Sequence, residues 1–291
     1  MSSKNANKSL LRVQTLSQAL PYIQKFQDKV FVIKYGGASM RDPVIKRETV
    51  RDLLLLRCVG IKLIIVHGGG PEINAMSQKL NLPVKFVDGY RVTDAKTMEI
   101  VEMVLVGKIQ KDLVNLINVS GGKAIGLCGK DGRLFFAKPF KKKKKLGFIG
   151  EVKSVDISIL LPLLEKGFIP VISSVGADIK GQNYNINADD VASVIASSLN
   201  ATKLVLMTDQ DGILKDHRKP SSLISLLNIK EVNNLIKKKI ISGGMIPKVN
   251  AAVNALKKGV KSAHILNGNK QHSILLEVFT DGGIGTMITK N

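Results

Sequence analysis

Hydrophobic and polar positions follow two rhythms along this chain. Short apolar runs of strand character occur at Val30–Lys34, Leu63–Val66, Lys123–Leu127, Ile169–Ser173, Leu204–Met207 and His264–Leu266. Between them, apolar residues recur at helical spacing in Val44–Val59, Asp94–Asn118, Ala188–Leu199 and Ile246–Lys258. This alternation predicts an α/β protein whose central, mainly parallel sheet is covered on both faces, a three-layer αβα sandwich. Two segments stand apart. Gly132–Val155 reads as β-hairpin material, with short runs, Gly147 and Gly150. Ser9–Phe26 has helical spacing at Leu10, Val13, Leu16, Leu20 and Ile23, and it precedes the first strand as an appendage. A composition shift near Leu199–Thr202 divides the rest, so the expected organisation is a helix at 1–26, a first lobe at 27–199 and a second at 200–291.

Composition narrows the class. The 291 residues are 44% hydrophobic, enough to bury a core in one large domain or two small lobes, and this excludes disorder as the main state. No apolar run approaches the roughly 18 residues that span a bilayer. The polar start, Met1 to Leu11, lacks the apolar segment of a signal peptide and leaves little room for a transit peptide. Cys58 and Cys128 lie in apolar surroundings without metal-like spacing and are expected to be buried free thiols in a reducing compartment. The formal charge of +21 invites a nucleic-acid reading. Its excess is lysine spread along the chain, however, and aromatics are only 4% and not interleaved with the basic residues, which argues against a stacking platform. The one dense run, Lys141–Lys145, is expected to be a solvated hairpin tip.

Two glycine-rich turns carry the candidate chemistry. The first strand ends in Lys34-Tyr35-Gly36-Gly37, a cation and a bare backbone at the carboxyl edge of the sheet, where open α/β folds bind ligands. The second ends in His67-Gly68-Gly69-Gly70-Pro71 before a helical pattern, a helix start that an anion can reach unobstructed. His67 reads as a structural side chain. There is no Walker pattern and no protein-kinase signature. Arg91 precedes a helix capped by Thr93 or Asp94. Tyr184–Asp190 is a polar turn entering the next helix. Ser242–Lys248 repeats the Gly-Gly theme with Lys248 on a first helical turn, where the helix dipole disfavours a cation unless an anion compensates it. A site rich in lysines and backbone donors suits phosphoryl transfer.

Taken in order, six segments resemble the amino-acid kinase family, over almost the whole chain from about Leu11 to Ile288. They are Ile33–Ala38, His67–Pro71, Gly89–Asp94, Gly126–Gly132, Asn185–Asp189 and Gly243–Val249. Within the family they are most similar to the members that act on N-acetyl-L-glutamate. The resemblance implies attack of the substrate γ-carboxylate on the γ-phosphoryl group of ATP, giving an acyl phosphate and ADP. It further implies that Lys34 and Lys248 neutralise the phosphoryl group in flight and that Asp189 holds both lysines. Gly36 and Gly37 match phosphate-binding backbone donors; Gly69, Gly70, Arg91 and Asn185 match substrate-binding groups. A carboxylate nucleophile is already ionised, so no general base is required. Mg²⁺ is expected with the nucleotide, not in a protein metal site. The nucleotide is expected near Thr208–Gly212.

The helix Ser9–Phe26 and the run Glu277–Gly285 resemble the arginine-inhibited, hexameric members, in which N-terminal helices interlace a trimer of dimers and L-arginine binds beside them. His264, Glu277 and Gly283 fall on the matching effector positions. Leu16–Gln24 resembles the cyanobacterial and plastid branch, some of whose enzymes bind the PII signalling protein. With a composition of AT-rich type, this predicts an organelle-encoded enzyme of the chloroplast stroma, or otherwise a cytoplasmic one. No nucleic-acid or membrane partner is expected. Departures from the family pattern are Gly37-Ala38-Ser39-Met40, Gln110, and Thr208-Asp209-Gln210-Asp211-Gly212. The competing readings are a relative acting on aspartate, glutamate, carbamate or UMP, and a non-enzymatic polyanion-binding protein.

Overall fold

The computed structural model describes residues 3–37, 40–87, 89–140, 146–216 and 218–291. The Lys141–Lys145 run, Ala38 and Ser39, and the side chain of Leu16 lie outside the described residues.

Helix α1 (Ser3–Phe26) begins earlier than its apolar spacing predicts and leads into β1 (Val30–Tyr35). Asp42 caps α2 (Pro43–Cys58): its carboxylate accepts from the backbone N–H groups of Val44 and Ile45 at 2.7 and 3.1 Å, and Pro43 sits at the first turn, where no N–H is needed. There follow β2 (Lys62–His67), α3 (Gly70–Lys79) and a small hairpin of β3 (Phe86–Val87) and β4 (Tyr90–Arg91). The helix expected over Asp94–Asn118 is interrupted. α4 (Ala95–Glu102) passes through a π-helical stretch, Met103–Ile109, into α5 (Gln110–Val119). The strands β5 (Ala124–Leu127), β6 (Phe135–Pro139) and β7 (Ile149–Val155) come next, β6 and β7 being the antiparallel hairpin expected over Gly132–Val155.

The chain continues through α6 (Leu160–Glu165), β8 (Ile169–Ser173), β9 (Val175–Ala177) and β10 (Asn183–Ile186) to α7 (Ala188–Ser198). The polar segment ahead of α7 is thus mostly strand, with Asn187 as the helix cap. The last part comprises β11 (Lys203–Thr208), β12 (Leu226–Asn228), α8 (Ile229–Lys237), α9 (Met245–Lys257), β13 (Ser262–Asn267), α10 (Ser273–Val278) and β14 (Thr286–Thr289).

Among the described residues the central sheet has eight strands in the order β12-β14-β13-β11-β1-β2-β8-β5, parallel except where β14 runs against β13. β6, β7, β9 and β10 close into a small barrel. Side chains of a strand alternate between faces, and the two cores divide accordingly. Val32, Ile64, Val66, Leu204 and Leu206 pack toward α6, α7 and α9. Phe31, Ile33, Leu63, Ile65, Val205 and Met207 pack with Leu53 and Leu56 of α2 and Leu113 of α5. Both faces are therefore covered, as the near-continuous apolar runs require.

Cys128 is buried, but Cys58 is exposed, against expectation. It ends α2 on the side turned from the core residues Leu53 and Leu56, so its apolar sequence neighbours do not enclose it.

Candidate active site

Lys34 occupies an even position of β1 and therefore faces the α7–α9 side, at the carboxyl end of the strand. There α7 presents Asp189 from its first turn, fixed by the Asn187 side chain, which accepts from the Asp189 N–H at 2.8 Å. Asp189 bridges two cations: its Oδ1 lies 3.1 Å from Lys34 Nζ and its Oδ2 2.9 Å from Lys248 Nζ, on α9. Burial disfavours the charge on Asp189, but the two ammonium groups outweigh it and hold the carboxyl below its ordinary range. Burial and the neighbouring Lys248 lower Lys34, while Asp189 opposes them. Two lysines share one carboxylate, so the cluster carries an excess positive charge toward the cavity. Asp190 differs from its neighbour: burial, then Asp189 and Glu151, push its carboxyl up to about 6.

That cavity, about 330 Å³, is lined by Lys34, Gly36, Gly37, Gly69, Gly70, Arg91 and Asn185, together with Gly68 and Ser174. Gly36 approaches the second turn so closely that a Cβ would lie 3.4 Å from Gly68 N. Gly37 has φ +84°, a conformation suited to glycine. Gly69, preceding α3, is closely covered: a Cβ there would come within 2.1 Å of Ile109 Cδ1 and 2.8 Å of Leu105 Cδ2, so those side-chain ends would have to shift. The π-helical stretch supplies both of these walls. The first N–H groups of α3 have no intrahelical partners and a helix N-terminus favours negative charge, so this turn suits an anion.

Arg91 is buried at the cavity wall. Its Nη2 donates to Gly70 O at 3.0 Å and Asn74 Oδ1 at 2.5 Å, and its guanidinium stands 4.8 Å from the Phe86 ring centre. Asn185 Nδ2 donates to Thr93 Oγ1 at 3.3 Å, and Thr93 Oγ1 donates to Arg91 O at 3.1 Å. The substrate-binding candidates are therefore linked. Asn74 and Ser174 were not foreseen, since a hydroxyl or amide behind a motif residue has no spacing signal. Thr93, expected as a possible helix cap, instead holds Arg91 and Asn185 while Asp94 caps the helix, and Gly68 belongs to the glycine turn already expected. Gln110, one of the departures, is buried and serves the scaffold: its Nε2 donates to Leu127 O at 2.6 Å and Val171 O at 3.1 Å.

Thr208–Gly212 follows β11 on the same carboxyl edge as Lys34. Its Asp211 accepts from Asn267 Nδ2 at 2.8 Å and pairs with Lys270 at 2.9 Å. Among the described residues there is no cluster of three or more His, Cys, Asp or Glu side chains that could hold a metal ion.

His264, Glu277 and Gly283 do not join this site. They line a second cavity of about 410 Å³, with Tyr22, Lys25 and Phe26 of α1, at the amino end of β11 and β13. His264 Nδ1 lies 2.7 Å from Glu277 Oε1, and Lys203 Nζ lies 2.9 Å from His264 Nε2. Because Nε2 accepts from the lysine, Nδ1 carries the proton and donates to Glu277. Glu277 Oε2 also accepts from the N–H groups of Ile284 and Gly285 at 2.8 and 3.0 Å. Burial lowers Lys203 to about 8, and its ammonium stands 5.2 Å from the Phe26 ring centre. Lys203 was not foreseen, although a lysine opening an otherwise apolar strand was its signal. Tyr22 hydrogen-bonds Asp281, tying α1 to the loop after α10.

A family model described as the amino acid kinase family matches residues 29–267. The acetylglutamate kinase of Thermosynechococcus vestitus is 55% identical over 277 residues, 95% of this chain and 94% of that protein. That of Trichodesmium erythraeum is 56% identical over 277 residues, again 95% and 94%. Among solved structures, the N-acetylglutamate synthase of Neisseria gonorrhoeae, complexed with coenzyme A and N-acetyl-glutamate, superposes with a TM-score of 0.85 at 26% identity. That likeness covers 96% of this chain but 63% of the synthase chain.

Proposed function

The chain belongs to the amino acid kinase family, and on that premise we propose that it transfers the γ-phosphoryl group of ATP to the γ-carboxylate of N-acetyl-L-glutamate, a step of arginine biosynthesis. The observation that carries the reading is Asp189 holding Lys34 and Lys248 together beside two bare glycine turns. A carboxylate oxygen of the substrate attacks the γ-phosphorus. The bond from phosphorus to the bridging oxygen of ADP breaks, and ADP leaves with the electron pair. Lys34 and Lys248 offset the charge on the moving phosphoryl group, which is where fixed charges act most strongly. Gly36 and Gly37 donate to phosphate oxygens, and Gly69 and Gly70 to the substrate carboxylate. Arg91 and Asn185 grip the amino-acid end. ATP, with Mg²⁺ as part of the substrate, lies along the carboxyl edge beside Thr208–Gly212, on the 200–291 lobe; 27–199 is the amino-acid lobe. A coupled ADP-release assay with acetylglutamate, aspartate and glutamate tests this. Turnover is expected with the first, and its absence would sink the reading.

The second cavity supports feedback control. Glu277, His264 and the Gly283 turn offer a carboxylate and backbone groups suited to the guanidinium and amino groups of L-arginine, with α1 as one wall. Leu10, Val13 and Leu20 of α1 are exposed apolar residues along one side of the helix, which supports a hexamer interlaced through this element. Deletion of 1–26 is expected to abolish arginine inhibition and leave dimers; a hexamer by light scattering would defeat this. Titration with PII, with and without arginine, tests that partnership, and PII that leaves arginine inhibition unaltered would end it. The compartment we infer is the plastid stroma. Labelled translation in isolated plastids is expected to yield the chain, and failure to do so would remove that part.

A further inference from the structure

His67 ends β2 and takes no part in the chemistry above. Its backbone pairs in register with Tyr35 of β1 and Ser173 of β8, so its ring lies on the opposite face of the sheet from Lys34, behind the glycine turn. The ring is fully buried. Nδ1 lies 3.2 Å from Gly68 O, while Nε2 has no hydrogen-bond partner among the described residues. A carbonyl can only accept, so Nδ1 carries the proton and donates. Gly68 is held on its other side as well, its N–H donating to Tyr35 O at 3.4 Å.

The peptide joining Gly68 to Gly69 is trans, as no peptide bond among the described residues is cis, and therefore close to planar. In a trans peptide the C=O and N–H point in opposite directions. Drawing the Gly68 carbonyl back toward the imidazole therefore turns the Gly69 N–H forward, and both glycines line the cavity. A hydrogen bond to the carbonyl also polarises the amide and strengthens its N–H as a donor.

We propose that His67 is a positioning residue for phosphoryl transfer, a neutral Nδ1–H tautomer that fixes and polarises the Gly68–Gly69 peptide so that the Gly69 N–H is presented to the reacting carboxylate. The choice of side chain follows from the surroundings. A lysine or arginine at this buried place would need a counter-ion, whereas burial pushes the imidazole down to about 4 and keeps it an uncharged donor near neutrality. This inference rests on the cavity being the acetylglutamate kinase site.

Two measurements test it. Imidazole ¹⁵N NMR of the unmodified protein is expected to show His67 as the neutral Nδ1–H tautomer from about pH 5.5 to 8, a range in which an ordinary histidine titrates. An Nε2–H tautomer, or a ring that titrates in that range, would overturn the proposal whether or not the enzyme turns over acetylglutamate. The second compares His67→Asn, whose amide nitrogen can replace Nδ1, with His67→Gln, whose amide reaches only the Nε2 position. His67→Gln is expected to lose about tenfold or more in kcat, with KM for ATP within about twofold, and His67→Asn to stay within about threefold of the unmodified kcat. Equal losses in the two variants, or a loss confined to KM for ATP, would overturn it. Absence of turnover by the unmodified protein would instead defeat the assignment of the reaction, leaving the tautomer measurement to judge His67.

Discussion

The two cavities sit at opposite edges of the same sheet, one at the carboxyl ends of β1 and β2 and the other at the amino ends of β11 and β13, and they treat charge in opposite ways. At the carboxyl end, two lysines share the single carboxylate of Asp189, and the uncompensated positive charge faces glycine turns without side chains. At the amino end, Lys203, a neutral His264 and Glu277 form a chain in which each group answers the next. An excess of one sign suits a ligand that must be strongly attracted while its charge is being redistributed. A balanced chain suits a ligand carrying both signs, such as a free amino acid. The difference also lies in what builds the walls. The first cavity is made from strand ends and helix starts of the central sandwich together with the β3–β4 hairpin and the barrel strands β7 and β10, the second from the central sheet plus an appended helix.

The contrast breaks most visibly at the lysines. Lys34→Ala and Lys248→Ala are each expected to lower kcat by about a hundredfold or more, with a far smaller effect on KM for acetylglutamate, because their charge acts on the transition state. Steady-state kinetics decides this; a change confined to KM would reduce them to binding groups. A smaller effect is expected at the other end. Glu277→Gln should raise the arginine concentration for half-inhibition by about tenfold, the order expected when a charge-assisted bond becomes a neutral one. An unchanged arginine response would remove Glu277 from the effector site.

The smallest effect separates the two ends by pH. The Asp190 carboxyl is raised from 3.8 to about 6, so between those values the folded chain binds more protons than the unfolded one, and stability falls as pH rises. Lys203 is lowered from 10.5 to about 8, so between about 8 and 10.5 the unfolded chain binds more protons and stability rises with pH. Asp190→Asn should flatten only the acidic slope and Lys203→Met only the alkaline one, each by about 2–4 °C in Tm for every 1 kcal/mol of coupling. Differential scanning calorimetry across pH checks both. One substitution altering both slopes would show that the two ends do not titrate independently.

Much of this arrangement was legible in the chain. Six apolar runs became six strands of the central sheet because strands buried on both faces need unbroken apolar residues. The glycine turns, Lys34, Arg91 and Lys248 were visible because bare backbone and fixed charges at element ends leave residue signatures, whereas Asn185 and Asp189 stood out from their polar turn only through the family resemblance. The small barrel was less legible. Its closure depends on β10 lying parallel to β7, a pairing between segments distant in sequence and rich in polar residues. The π-helical stretch was hidden too, since Met103–Ile109 keeps enough helical spacing to read as one helix with its flanks. The Lys203–His264–Glu277 chain joins three elements through side chains alone, and no local pattern specifies it.

β1 also has a mechanical consequence. Its six residues span about 17 Å at the usual rise and are hydrogen-bonded to β11 on one side and β2 on the other. A slip of one residue would turn Lys34 away from Asp189, and the ladders on both sides resist stretching. The strand is thus a strut of fixed length, with the first cavity at its carboxyl end and α1, one wall of the second cavity, packed near its amino end. A push on Phe31, which packs against Phe26 of α1 with ring centres 5.3 Å apart, can reach Lys34 only as a tilt of the whole strut. The angle between the layers is then the variable, and the length of the strut the constant.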